Sequence, residues 1–259
     1  MKQKLIEMLL STLAIIACAS QASAIDWQEP RRLTQDLPVR EELNRKFQFT
    51  RFGQVEVSGV AGDVSIETHN GNSVDVYVAR SAETQAELDC YRTVIENTPD
   101  SLTIRHEQPE QGRCTSIRAR QRVVLRVPRA VDVSLKTIGG AVAVDRIDGV
   151  LRLKGIAGHA TATQVREARI EGLAQGLRMS IAQPTARGIR VSGVVGQVEL
   201  DLPRDLNAEL SVSSLINVDD KTPGVTITKV SAASGTTRFG AGGPPITISG
   251  IVGSVRINP

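Results

Sequence analysis

Arg118, Arg120 and Arg122 recur at a two-residue spacing, Arg126 keeps the same phase, and Arg113 and Arg129 stand nearby. Val123, Leu125 and Val127 hold the opposite phase. A strand with this pattern buries its aliphatic residues and turns its arginines outward. Guanidinium forks bind phosphate or carboxylate through paired hydrogen bonds, so the row is a candidate anion site for an envelope polymer or a lipid headgroup. The competing reading is a charged strand face that discourages edge-to-edge pairing.

The other reactive side chains form no catalytic pattern. Of three histidines, His69 sits beside the turn His69-Asn70-Gly71-Asn72 and His106 falls at a strand end. His159 occupies a slot that Asp63, Gln197 and Ser254 fill in related segments, which predicts a solvent-facing position. The metalloprotease, nucleophile-elbow, P-loop and dinucleotide-binding motifs are absent. No second cysteine or histidine cluster supplies ligands, so neither a metal nor a cofactor is expected. A glycan-active lyase or hydrolase is the enzymatic alternative, but it would gather carboxylates on one face. Here the acids are scattered, and no aromatic residue lies between Arg92 and Arg238 to stack against a sugar.

Charge and location narrow the class further. With 31 Lys and Arg against 28 Asp and Glu, the net charge of +3 is too small for a general nucleic-acid binder. Lys2 and Lys4, the apolar run Leu9–Ala17 and the tail Ala22-Ser23-Ala24 make a secretory signal, with cleavage expected after Ala24. No stretch reaches the roughly 20 apolar residues of a membrane span. Ile15-Ile16-Ala17-Cys18 also resembles a lipobox, so a lipid on Cys18 is the alternative route to the envelope. Export leaves Cys90 and Cys114 as an even pair, and a disulfide is expected in an oxidising compartment. The partition reads as a signal over 1–24, a linker or N-terminal cap over 25–46 and one domain over 47–259. Within 25–46, a turn of helix is expected near Glu41–Lys46.

What must position these groups is an all-β chain. Val55 and Val57, Val74 to Val78, Leu102 and Ile104, and Val131 to Leu135 all alternate with polar residues. Only Ala82–Tyr91 has helical composition. A motif of the form apolar-x-Gly-apolar-x-Gly-x-apolar-x-apolar starts at Val57, Leu153, Val191 and Ile248, with weaker copies at Leu135, Ile170 and Val212. The intervals between successive strong copies are close to five, two and three times a period of about 19 residues. A unit this short cannot bury its own apolar face, so copies must stack, giving a β-solenoid with rungs of about 19 residues. A β-sandwich with similar hairpins is the alternative. Stacking predicts Val57, Ile156, Val194 and Ile251 in equivalent or adjacent inward slots, with Gly59, Gly155, Gly193 and Gly250 at equivalent corners.

Val55-Glu-Val57, Val74-Asp-Val-Tyr-Val78 and the closing segment Gly240–Ile257 resemble the bacterial toastrack group, adhesin-like domains of unknown function. The resemblance covers Phe47–Pro259. It implies a right-handed single-stranded β-helix, exported or membrane-tethered, with no established catalytic residues to carry over. The Cys90 and Cys114 pair and the basic segment near Arg118 depart from that pattern. Together these readings describe a non-enzymatic periplasmic or cell-surface protein, an adhesin-like scaffold or a binding and sensing module. Its expected partner is an envelope polymer, a lipid headgroup or a protein.

Overall fold

The computed structural model describes residues 37–107, 114, 118–214, 217–219, 228–231 and 234–258. They belong to the second of the chain's two units, Asp36–Pro259. The signal segment, Cys18 and Arg113 lie outside the described residues. The all-β reading holds. Among the described residues the strands form two mixed sheets of ten and eleven strands, neither closed, and the single helix is the six-residue Gln85–Cys90. Thr84 caps that helix, its hydroxyl accepting from the Glu87 amide at 3.2 Å.

The middle of the chain explains the repeat. From Asp132 to Asp201 successive strands alternate between the sheets. Asp132–Ile138, Val150–Ile156, Glu167–Leu173 and Ile189–Val195 lie in the eleven-stranded sheet. Val142–Val144, Ala160–Val165, Gly176–Ile181 and Gln197–Asp201 lie in the ten-stranded one. Each strand pairs in parallel with its successor in the same sheet, so equivalent positions stand side by side. Val57, Leu135, Leu153, Ile170, Val191 and Ile248 therefore form one column. None of the six is more than 1% exposed. From Leu135 through Leu153 and Ile170 to Val191, each step along the chain is close to the expected rung of about 19 residues.

Two residues after each of these positions the pairing skips one residue and the strand bends. Gly59, Gly155, Gly172, Gly193 and Gly250 fill that place with φ between 63° and 70°, and Thr137 fills it with φ 54°. The expected corner glycines thus stand in register. At Gly193 the demand is conformational: an added Cβ would lie 3.5 Å from the Gly172 amide, but left-handed backbone strains any β-branched residue. At Gly253 the demand is spatial, since a Cβ would meet the Gly196 carbonyl oxygen at 1.9 Å.

The longer spacings misled. Val57 and Leu153, far apart in sequence, are separated by one strand only, and Val191 and Ile248 are direct neighbours. Much of the intervening chain builds antiparallel additions at the two ends of the stack. Val39–Gln48 and Ser73–Ala82 stand at one end, and Ser234–Phe239 with Thr228–Ser231 at the other. Glu41–Lys46, expected as a helical turn within the linker or cap, belongs to an edge strand. Its Leu43 and Phe47 pack on the core, while Arg40, Glu41, Glu42, Arg45 and Lys46 are exposed. Charge along an open edge discourages pairing with another chain.

The core is one aliphatic layer fed by both sheets. Val57, Ile156, Val194 and Ile251 are all buried. Ile156, Val194 and Ile251 share a column, and Val57 lies in the adjacent one. Each such side chain contributes about 1.5–3 kcal/mol by leaving water. Stacked strands repeat the same slots, so small aliphatic residues fill nearly all of the layer, and Phe49 is the one aromatic ring in the buried cluster among the described residues.

Candidate functional site

Of the arginine row, Arg120, Arg122 and Arg126 lie on the strand Arg120–Pro128 with the expected parity, and Arg118 stands just before it. Val123, Leu125 and Val127 are buried, Arg120 and Arg126 are exposed and Arg122 is half-buried. The strand is not at an edge. It is held between Ser73–Ala82 and Gly62–His69, which removes the edge-blocking explanation. Its charges are answered from neighbouring segments. Arg118 pairs with Glu83 at 3.3 Å, and Arg126 stands 3.6 Å from Glu67. Burial pushes the Glu67 carboxyl above its usual range, and Arg126 pulls it back. Neither Arg120 nor Arg122 is free. Across the strands the column Lys46, Asp75, Arg126, Glu67 alternates in sign, as does Arg178, Glu199, Arg256 further along the same sheet.

The outer face of the other sheet differs. Arg152, Arg169 and Arg190 occupy successive in-register positions on three parallel strands. Each lies between two buried residues: Leu151 and Leu153, Ala168 and Ile170, Ile189 and Val191. All three side chains must therefore project outward, with backbones about 4.8 Å apart. Arg152 donates to Asp132 at 3.1 Å. Arg169 and Arg190 are exposed and have no hydrogen-bond or ion-pair partner among the described residues. Ser134 and Thr247 bound the column. Beyond Arg152 lies a shallow depression of about 80 Å³ whose lining includes Ser134, Glu56, Thr103, Ser101 and Asp132.

Sequence reasoning missed this column because its members stand a full rung apart along the chain. A signal was present. Each arginine immediately precedes the first apolar residue of a motif copy: Arg152 before Leu153, Arg169 before Ile170 and Arg190 before Val191. Starting the repeat one residue earlier would have aligned them.

The histidines take separate places. The His69 ring accepts from the Gly71 amide at 2.8 Å and donates to the Ser73 carbonyl at 2.9 Å, which holds a turn. His159 is exposed, as its slot predicted. His106 stacks on Tyr91, ring centroids 4.0 Å apart, and burial lowers its pKa below the ordinary imidazole value. The Tyr91 hydroxyl donates to the Gly59 carbonyl at 2.7 Å, and burial raises its pKa. Cys90, next to Tyr91, is bonded to Cys114 with Cα atoms 5.9 Å apart. Disulfide, tyrosine and histidine thus meet where the glycine column ends. Among the described residues no three His, Cys, Asp or Glu side chains gather as a metal site, and no helix is long and apolar enough to cross a membrane.

No family model matches the chain, and no curated protein matches its sequence. Several solved structures align with most of the chain. A candidate cell adhesion protein from Clostridium sporogenes aligns with 85% of this chain and 99% of its own, at 10% identity and TM-score 0.48. A candidate adhesin from Bacteroides fragilis covers 86% and 99% at 10% identity and TM-score 0.33. A candidate lipid-binding protein from Parabacteroides distasonis covers 84% and 96% at 11% identity and TM-score 0.29.

Proposed function

We propose that this chain is an exported, non-enzymatic binding module of the cell envelope, adhesin-like in its action. Its middle is a β-solenoid turn repeated along one axis, and its ends are antiparallel caps. The observation that carries the reading is the in-register stack over Asp132–Asp201, which converts single outward residues into regular columns. A surface ruled at a constant interval suits an extended partner better than a small substrate, which needs a concave site. The Cys90–Cys114 bond supports maturation in an oxidising compartment, with Ile25 as the mature N-terminus.

The test uses the mature chain, Ile25–Pro259, and isolated bacterial envelopes. Co-sedimentation without release of new sugar ends is expected. Failure to co-sediment would overturn the binding reading, and release of glycan fragments would establish the lyase or hydrolase alternative. N-terminal mass analysis of the secreted protein should start at Ile25. A diacylglyceryl group on Cys18 would instead make it a lipoprotein.

A further inference from the structure

We infer that the column Arg152, Arg169, Arg190 is a binding site for a linear carboxylate-bearing polysaccharide, laid across the strands with successive acidic groups reaching successive arginines. The inference deepens the envelope-binding reading and rests on it. Like charges set opposite one another across a sheet repel. The other sheet avoids this by alternating signs along its columns. Here three guanidinium groups follow one another, and only Arg152 makes an ion pair among the described residues, with Asp132 at 3.1 Å. An external chain of anions would relieve that repulsion, each fork accepting one carboxylate in two hydrogen bonds.

The width of the column selects the occupant. Flanking it on one side are Lys154, Glu171 and Ser192, and on the other Asp132 and Glu167, so the unbroken positive charge is one residue wide. A flat anionic membrane would press on Asp132 and the exposed Glu171 as well; a single polymer chain need not. The interval of about 4.8 Å between strands is close to the length of one sugar residue, so an acidic sugar per strand keeps step with the arginines. Where the column ends at Arg152, the hydroxyls of Ser134, Ser101 and Thr103 border the depression and suit the hydroxyls of the following sugars, while its two acids are answered within the chain, Glu56 by Lys136 and Asp132 by Arg152.

The experiment compares the mature parent with Arg169→Ser/Arg190→Ser and with Arg118→Ser/Arg126→Ser, which removes the same charge on and beside the other sheet. Affinity electrophoresis through polygalacturonate at about 0.15 M salt reads binding under screening that suppresses distant charge effects. Parallel arms use fully methyl-esterified polygalacturonate, polyphosphate and phosphatidylglycerol vesicles. The expected result is a loss of at least about tenfold, or 1.4 kcal/mol, for the column variant. Less than twofold is expected for the other variant, and no binding to the esterified polymer. Equal losses in both variants would reduce the effect to net charge and overturn the site. Column-dependent binding of polyphosphate or vesicles, without binding of polygalacturonate, would overturn the polysaccharide. Thermal unfolding of both variants near the parent's temperature excludes misfolding. If envelopes still sediment the column variant as they do the parent, the envelope-binding reading stands and the column assignment fails.

Discussion

Arginines on the two outer faces are set in two contrasting ways. On the ten-stranded sheet, Arg126 is set against Glu67 and Arg178 lies within 4 Å of both Glu199 and Asp201. On the eleven-stranded sheet, Arg169 stands between Arg152 and Arg190, and the nearest acid in its column is Glu56, beyond Ser134. The first arrangement is satisfied within the chain, whereas the second leaves Arg169 and Arg190 without an ion pair among the described residues. A basic stretch contiguous in sequence can thus be answered by acids on neighbouring strands, while basic residues one repeat apart can stand side by side.

The stack is the premise of that contrast, so the sharpest way to break it is to break the register. Gly253→Val should cost at least about 3 kcal/mol, because the backbone carbonyl of Gly196 cannot yield to the new side chain. Urea denaturation would read it, and a cost below about 1 kcal/mol would mean the stacked corners are not required. Val194→Ala removes core beneath the same turn and should cost about 1–3 kcal/mol, through a cavity in a thin layer. An unchanged m value would show that both folded and unfolded states keep their compactness.

Charge replacement sharpens the contrast directly. Arg126→Ser should lower stability and Arg169→Ser should leave it equal or raise it, each by no more than about 0.5 kcal/mol for such exposed groups. Added salt should narrow both differences from the parent. Two destabilisations of equal size would erase the distinction between the faces.

A smaller, pH-dependent effect tests the cap where the column of corners ends. The folded state disfavours the proton on His106, so the unfolded chain binds it more tightly. Its share of stability is present above the ordinary pKa of 6.5 and fades as pH falls below that value. His106→Phe keeps the stack on Tyr91 and should flatten the fall in stability between about pH 7 and pH 5. An unchanged slope would clear His106 of that role. The smallest effect belongs to His159→Ser, expected to leave the denaturation midpoint where it was, since the slot is solvent-facing.

The parts legible in the sequence were those set by local pattern. Alternation marked the strands, the paired glycines marked the bends, and Cys90 and Cys114 named each other by elimination. The parity of Arg122 against Val123 gave the direction of each side chain. What escaped notice depended on which strands are neighbours. Arg122 faces Asp63 and Arg126 faces Glu67 through parallel pairing that spacing does not reveal. The separation of Val57 from Leu153 looked like five rungs because antiparallel hairpins can be as long as solenoid turns. Glu41–Lys46 has helix-favouring residues, but Leu43 and Phe47, four apart, bury themselves equally well on one side of an edge strand.

The alternation of the chain between two sheets also makes the molecule extensible. Each passage from Leu135 to Leu153 to Ile170 to Val191 consumes one rung and lengthens every outward column by one place. Duplicating one turn would therefore add valency while repeating the kind of contact neighbouring strands already make, and a ligand engaging an additional arginine would gain avidity from residues already held in step. Reach along a polymer becomes a property set by the number of turns, open to selection independently of the caps that close the ends.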